Sequence, residues 1–150
     1  MELSGEERLA RWGPGPWLEE PARIEWRFEG TPCLMFRNPL MGHWCGYVGV
    51  APGHPWHGQS YDELGDVEAH GGITYAQACG GEICHAPEAG EPEDIWWVGF
   101  DCAHWGDLSP GMRGHDAGYR ELLTYRDRHY VAAAVEGLAR QAADAQAQAD

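Results

Sequence analysis

The chain contains no lysine: its ten cations other than histidine are all arginines, set against 24 acidic residues for a formal net charge of −14. A field of that sign repels phosphate backbones, whose binding draws on cations that displace counterions, so general binding of nucleic-acid backbone is not expected. A local arginine pocket for a small anion is compatible with this charge, and so is an acidic surface that imitates nucleic acid toward a basic partner. Also missing is any run of about 18 apolar residues. The start, Met1-Glu2-Leu3-Ser4-Gly5-Glu6-Glu7, is acidic where a secretory signal would be basic. These absences lead us to expect a cytoplasmic protein with no membrane partner. Five cysteines, an odd number, do not make the framework of a small secreted protein. Cys79 and Cys84 could pair across their glycine turn in an oxidising setting; in a cytoplasm they read as thiols or metal ligands.

What the chain does have is 150 residues, enough for one domain spanning 1–150, and eight tryptophans to fill its core. Each indole buries roughly 150–250 Å². Ser4 and Glu7 form an S-x-x-E capping box, which predicts a short helix from Gly5 to about Trp12. From Ile24 the period changes to two, with Ile24, Trp26 and Phe28 alternating with charged residues, and a second strand over 33–36 completes a hairpin. Further strands are expected over 43–50, over 67–75 with a break at Gly71-Gly72, and over 95–100, the most hydrophobic run. Residues 83–85 read as a short edge strand, and 101–119 as irregular. Val131, Val135, Leu138 and Ala142 recur at helical spacing after Thr124 and Asp127, either able to cap; residues 143–150 have little to bury and should fray. The pattern predicts an α+β domain, a largely antiparallel sheet with the C-terminal helix packed on one face and a short N-terminal helix.

Gly42-His43-Trp44-Cys45-Gly46-Tyr47-Val48-Gly49-Val50, His70-Gly71-Gly72-Ile73-Thr74-Tyr75, Ile83-Cys84-His85 and Trp96-Trp97-Val98-Gly99-Phe100-Asp101-Cys102-Ala103-His104 resemble segments of an uncharacterised family of small bacteriophage and prophage proteins. The likeness covers about half the chain. It implies a phage origin and action inside a bacterial cell, where small acidic proteins often sequester signals or inhibit host defence proteins. It brings no assigned activity and no catalytic residue.

Three kinds of chemistry fit the residues between His70 and Asp107. An apolar strand that ends in Asp101 and turns through Cys102, His104 and Asp107 delivers polar groups to a rim, the usual place for a binding site. His70, Gly71, Gly72, Thr74, Trp97, Asp101, His104 and Asp107 are the candidate ligand-binding residues, and His70, Asp101 and His104 should converge. A zinc site needs four nitrogen, sulfur or oxygen donors. The loop-proximal pairs His43/Cys45, Cys84/His85 with Cys79, and Cys102/His104 supply candidates, though none has a diagnostic metal spacing. Acid–base chemistry, with a carboxylate orienting an imidazole, is the third. Arg113 and His115, in a glycine-rich segment, could close over a ligand as a flap, and the acidic loop 88–94 could face a partner. The preferred expectation is a small-molecule sequestrant or an inhibitor of a host protein; the alternative is a zinc-dependent hydrolase centred on Asp101 and Asp107.

Overall fold

The computed structural model describes residues 2–85, 92–112 and 117–150. Helix α1 (Gly5–Trp12) starts where the capping box places it: the Ser4 hydroxyl accepts from Glu7 N at 3.1 Å and Glu7 Oε1 accepts from Ser4 N at 3.2 Å. Five strands follow, β1 (Arg23–Phe28), β2 (Thr31–Arg37), β3 (Trp44–Val50), β4 (Tyr75–Ala78) and β5 (Trp96–Asp101), in the order β1-β2-β3-β5-β4 with every pairing antiparallel. The hydrophobic 95–100 run becomes an interior strand, flanked by β3 and β4.

Strand alternation divides the core between two faces. Met35, Val48, Val98 and Phe100 face the long helix α3 (Arg128–Ala149), which lays Val131, Val135, Leu138 and Ala142 against them. Each such aliphatic side chain stabilises by roughly 1.5–3 kcal/mol when fully buried. Gly46 makes the approach possible, since a Cβ there would stand 2.5 Å from Val135 Cγ2. Asp127 is the cap, accepting from Tyr130 N. The helix runs on to Ala149, with Ala142 and Ala145 in contact with the core and Gln146 donating to Asp150.

The other face carries Leu34, Tyr47 and Trp97, covered by Ile83 and Ile95. Residues 83–85 are thus not an edge strand: only an isolated bridge links Gly80 and Ile83, and the turn folds inward over the sheet. A Cys79–Cys84 disulfide closes it, and Arg23 from the opposite edge of the sheet donates to the Glu82 and Cys84 carbonyls. The strand expected over 67–75 is also absent until Tyr75; Gly71 and Gly72 both have positive φ, which a ladder cannot accommodate, and 67–74 is a loop. A short helix α2 (Ala117–Glu121) interrupts the stretch read as irregular.

Glu20 is buried where the segment after α1 meets the start of α3. Its Oε1 accepts from Arg37 at 2.7 Å, from Trp44 Nε1 at 3.2 Å and from the Tyr125 hydroxyl, while Oε2 accepts from Arg128 N at 2.9 Å. Among the described residues no helix is long and apolar enough to cross a membrane. Arg113, His115 and residues 88–91 of the acidic loop lie outside the described residues.

Candidate functional site

β5 ends in Asp101, which stands opposite Cys45 of β3. Alternation turns both toward the face away from α3. The chain then bends sharply, because Asp101 Oδ1 accepts from Ala103 N at 3.0 Å, a side chain-to-backbone bond of the Asx-turn kind. Oδ2 accepts from the Thr74 hydroxyl at 3.1 Å, tying the turn to the residue that leads into β4. His104 Nε2 lies 3.3 Å from Asp101 Oδ1, out of line for a hydrogen bond, and is buried without another partner. These groups, with Asn38 and His43, rim a basin of about 520 Å³ walled by Cys45, Tyr47, Tyr75 and Phe100.

Behind His104 lies a second network. His70 Nε2 donates to Asp107, 2.8 Å from Oδ2 and 3.0 Å from Oδ1. In a neutral ring Nδ1 is then an acceptor, and the Tyr130 hydroxyl lies 2.7 Å from it. Asp107 also accepts from His104 N at 3.0 Å and from Arg126 Nε at 2.9 Å, while the Arg126 guanidinium stacks 4.8 Å from the Tyr130 ring centre. Burial would push the Asp107 carboxyl up, but the bonds from His70, Arg126 and the His104 amide outweigh it and hold the group below the usual carboxylate range. One carboxylate therefore joins the 67–74 loop, the 101–107 turn and the start of α3.

The expected ligand-binding residues divide accordingly. Thr74, Asp101 and His104 rim the basin. His70, expected to converge on the same cavity, does not line it: its ring centre lies 6.1 Å from that of His104, behind that ring. Gly71 lies directly against the His104 ring, and Gly72 continues the turn in open space. Asp107 lines a neighbouring hollow on the far side of His104, together with Met41, Trp105 and Tyr119. Trp97 is fully buried in the second-face core, with His85 edge-on at 5.2 Å, and does not reach the basin.

The metal candidates scatter. His43, Cys45 and His104 share the basin, whereas Cys102, next along from Asp101, turns to the α3 side and is buried there. Cys79 and Cys84 are bonded to each other, which removes both as thiolate ligands, and His85 is packed on Trp97. Among the described residues no three histidine, cysteine or acidic side chains are placed to share an ion.

Protonation also limits the chemistry. Burial pushes the Cys45 thiol up to about 12, so at neutral pH it is no nucleophile. Burial likewise raises Tyr47 and Tyr75, and holds His43 below the usual imidazole range, keeping that ring neutral with Nδ1 3.3 Å from the Ser109 hydroxyl. Sequence reasoning missed Asn38, Tyr75, Arg126 and Tyr130. Tyr130 sits one residue before the buried Val131, on the polar side of α3, where periodicity marks nothing. Compared with known family models, curated proteins and solved structures, the chain matches none.

Proposed function

We propose that the chain is a binding protein of the bacterial cytoplasm, of the kind the phage resemblance implies, that sequesters a small molecule in the Asp101 basin. The ligand presents a cationic or paired N–H group to Asp101 and a flat ring to Tyr47 and Tyr75. One observation carries this reading: Asp101, the only acid lining the basin among the described residues, is held in place by Thr74 and Ala103 beside aromatic walls, while the adjacent thiol stays protonated. A carboxylate keeps free lone pairs after two hydrogen bonds, and the chain's negative field draws cations toward it. Recognition needs no reactive atom, and burial keeps the Cys45 thiol beside Asp101 protonated. The zinc-hydrolase alternative has less support, because its donors do not gather among the described residues.

A second reading, inhibition of a host protein, rests on a different observation. Trp105 is 97% exposed beside the neighbouring hollow, and Leu40 and Leu122 are 72% and 79% exposed. Exposed aromatic and aliphatic groups of this kind serve as anchors at protein interfaces.

The test is to incubate the protein with a bacterial small-molecule extract, recover it, denature it and identify what is released by mass spectrometry. The expected result is an unaltered nitrogen-bearing ring compound from the parent and none from Asp101→Ala or His104→Ala, with both variants melting near the parent. Product accumulating beyond one equivalent would make the protein an enzyme. Empty parent protein, or variants that retain the same compound, would refute the pocket and leave the Trp105 surface as the leading account.

A further inference from the structure

The sheet has two edges, β1 and β4. An edge strand presents backbone groups on which another chain can pair, and proteins commonly blunt it by shortness, a bulge, proline, lysine or a cover. β4 has four residues and leads directly into the Cys79–Cys84 turn. β1 is longer and carries none of the usual devices. Its six residues include no proline or glycine, its pairing with β2 is regular from end to end, and the chain has no lysine. Glu25 and Arg27 are exposed, and among the described residues β2 is its only strand neighbour.

The phase of the hairpin fixes what this edge presents. Arg37 N donates to the Ala22 carbonyl, so Ala22 and, by alternation, Ile24, Trp26 and Phe28 turn their peptide groups to β2. The tight turn through Glu29 and Gly30, both with positive φ, closes the hairpin in the same phase. The peptide groups of Arg23, Glu25 and Arg27 therefore point away from β2. Their side chains share the face of Leu34, while Ile24, Trp26 and Phe28 lie on the α3 face. The charges along the strand and its turn, Arg23, Glu25, Arg27 and Glu29, alternate in sign, so they do not repel a copy of themselves as an edge of one sign would.

We propose that β1 is the interface of a homodimer, in which two copies pair antiparallel through this edge about a twofold axis at Trp26 and join their sheets into one. That register sets Glu25 opposite the partner's Arg27 and brings Arg23 to the partner's Glu29, with the reciprocal pairs generated by symmetry. Glu25 Oε2 accepts from Arg23 Nε at 3.1 Å, which leaves Oε1 for the partner's Arg27. Glu25 and the partner's Arg27 also form a hydrogen-bonded pair, exchanging both N–H···O bonds through the peptide groups that β2 does not use. On the α3 face Trp26 meets the partner's Trp26, and Ile24 meets the partner's Phe28, beside a groove of about 250 Å³ lined by Ile24, Trp26, Met35 and Ala132. Neighbouring registers fail on charge. An axis at Glu25 opposes the two Glu25 side chains and sets Arg23 against the partner's Arg27; an axis at Arg27 opposes two arginines and sets Glu25 against the partner's Glu29. The order of charges thus selects a second copy, in one register. A net charge of −14 on each copy opposes approach, so the association is weak, in the micromolar range. β1 lines no part of the Asp101 basin, and both basins stay open in the dimer.

Sedimentation of the full chain from about 5 µM to about 500 µM should show the 16.6 kDa protein passing to twice that mass. Glu25→Arg and Arg27→Glu each set like charges opposite one another in a homodimer, and each should weaken self-association about tenfold or more. Mixed in equal amounts the two variants restore every opposite-charge pair and should dimerise as the parent does. Glu25→Pro removes an outward N–H without touching the β2 ladder, and should abolish the dimer while melting near the parent. Should it fail to fold, the two charge variants, changed only at exposed side chains, decide the matter alone. A parent that stays monomeric throughout, a dimer undisturbed by Glu25→Arg, or charge variants that fail to dimerise when mixed would each overturn the proposal.

Discussion

The imidazole of His104 lies against the backbone of Gly71 in the space a side chain would occupy: a Cβ on residue 71 would stand 2.1 Å from His104 Cδ2. Gly71 also has φ of +69°. Gly71→Ala should therefore cost roughly 1–2 kcal/mol from the left-handed backbone and displace the His104 ring as well. Gly72→Ala, with positive φ but open space around it, should show the backbone cost alone and leave His104 in place. Thermal melts and the His104 ring signals by NMR distinguish the two; equal effects would mean that the contact is unimportant.

Leu138 is fully buried between α3 and the sheet. Leu138→Ala should destabilise by roughly 2–5 kcal/mol, the range for a large side chain removed from a close-packed core. Chemical denaturation measures it directly. Stability unchanged within error would mean that α3 contributes little to the fold.

Acid should act in two stages. Burial holds His43 and His54 below their ordinary 6.5, so both are neutral in the fold and take up protons more readily once unfolded. Their contribution is complete above that pH and declines as pH falls below it. In His54 burial outweighs the bond between Nε2 and the Ala142 carbonyl, 2.7 Å long, which by itself favours the charged ring, and Nδ1 accepts from Trp56 N. Asp107 works lower down: its carboxyl is held beneath its ordinary 3.8, so its contribution is complete above that value and is lost as pH falls through the depressed one. Urea melts from about pH 7.5 to about pH 3 should show both declines. His54→Gln should flatten the upper stage and Asp107→Asn the lower; an acid limb unchanged by either would contradict the assignment.

The Cys79–Cys84 bond closes the turn that carries Ile83 onto the second face, and Cys79 is exposed to reductant. Closing a loop this short stabilises by roughly 2 kcal/mol in the chain-entropy account. Reduction, or a Cys79→Ser/Cys84→Ser double variant, should lower the melting temperature and raise hydrogen exchange around Ile83 and Trp97. A melt indifferent to reductant would show that Arg23 and the apolar contacts hold the turn unaided.

Periodicity located most of the framework. Ile24, Trp26 and Phe28 alternate as a strand, Val131, Val135, Leu138 and Ala142 repeat as a helix, and Ser4 and Asp127 mark starts; each signal is local and survives any tertiary arrangement. The failures were of the opposite kind. Residues 67–74 carry enough apolar groups for a strand, and the positive φ of Gly71 and Gly72 removes them from the ladder. The basin was half legible: Asp101 and His104 announce themselves after a hydrophobic run, but Asn38 and Tyr75 reach it through sheet order, which no local pattern encodes. Trp97, expected at the ligand, lies instead in the core with Ile83 of the disulfide-closed turn, a placement set by sheet face and not by local pattern.

Glu20 has a consequence for how this chain is made. Its carboxylate draws donors from residues 37 and 44, close in sequence, and from residues 125 and 128, separated by more than a hundred positions. A nascent chain emerging from the ribosome can bring the first pair together early but must wait for the second until α3 begins to appear. Contacts of such long separation close late and slow the search. Until then an acid destined for the interior is only half answered, and the sheet face that α3 covers stays open to other chains. Completion of the N-terminal half is thus conditional on α3, which couples the two distant segments that Glu20 joins.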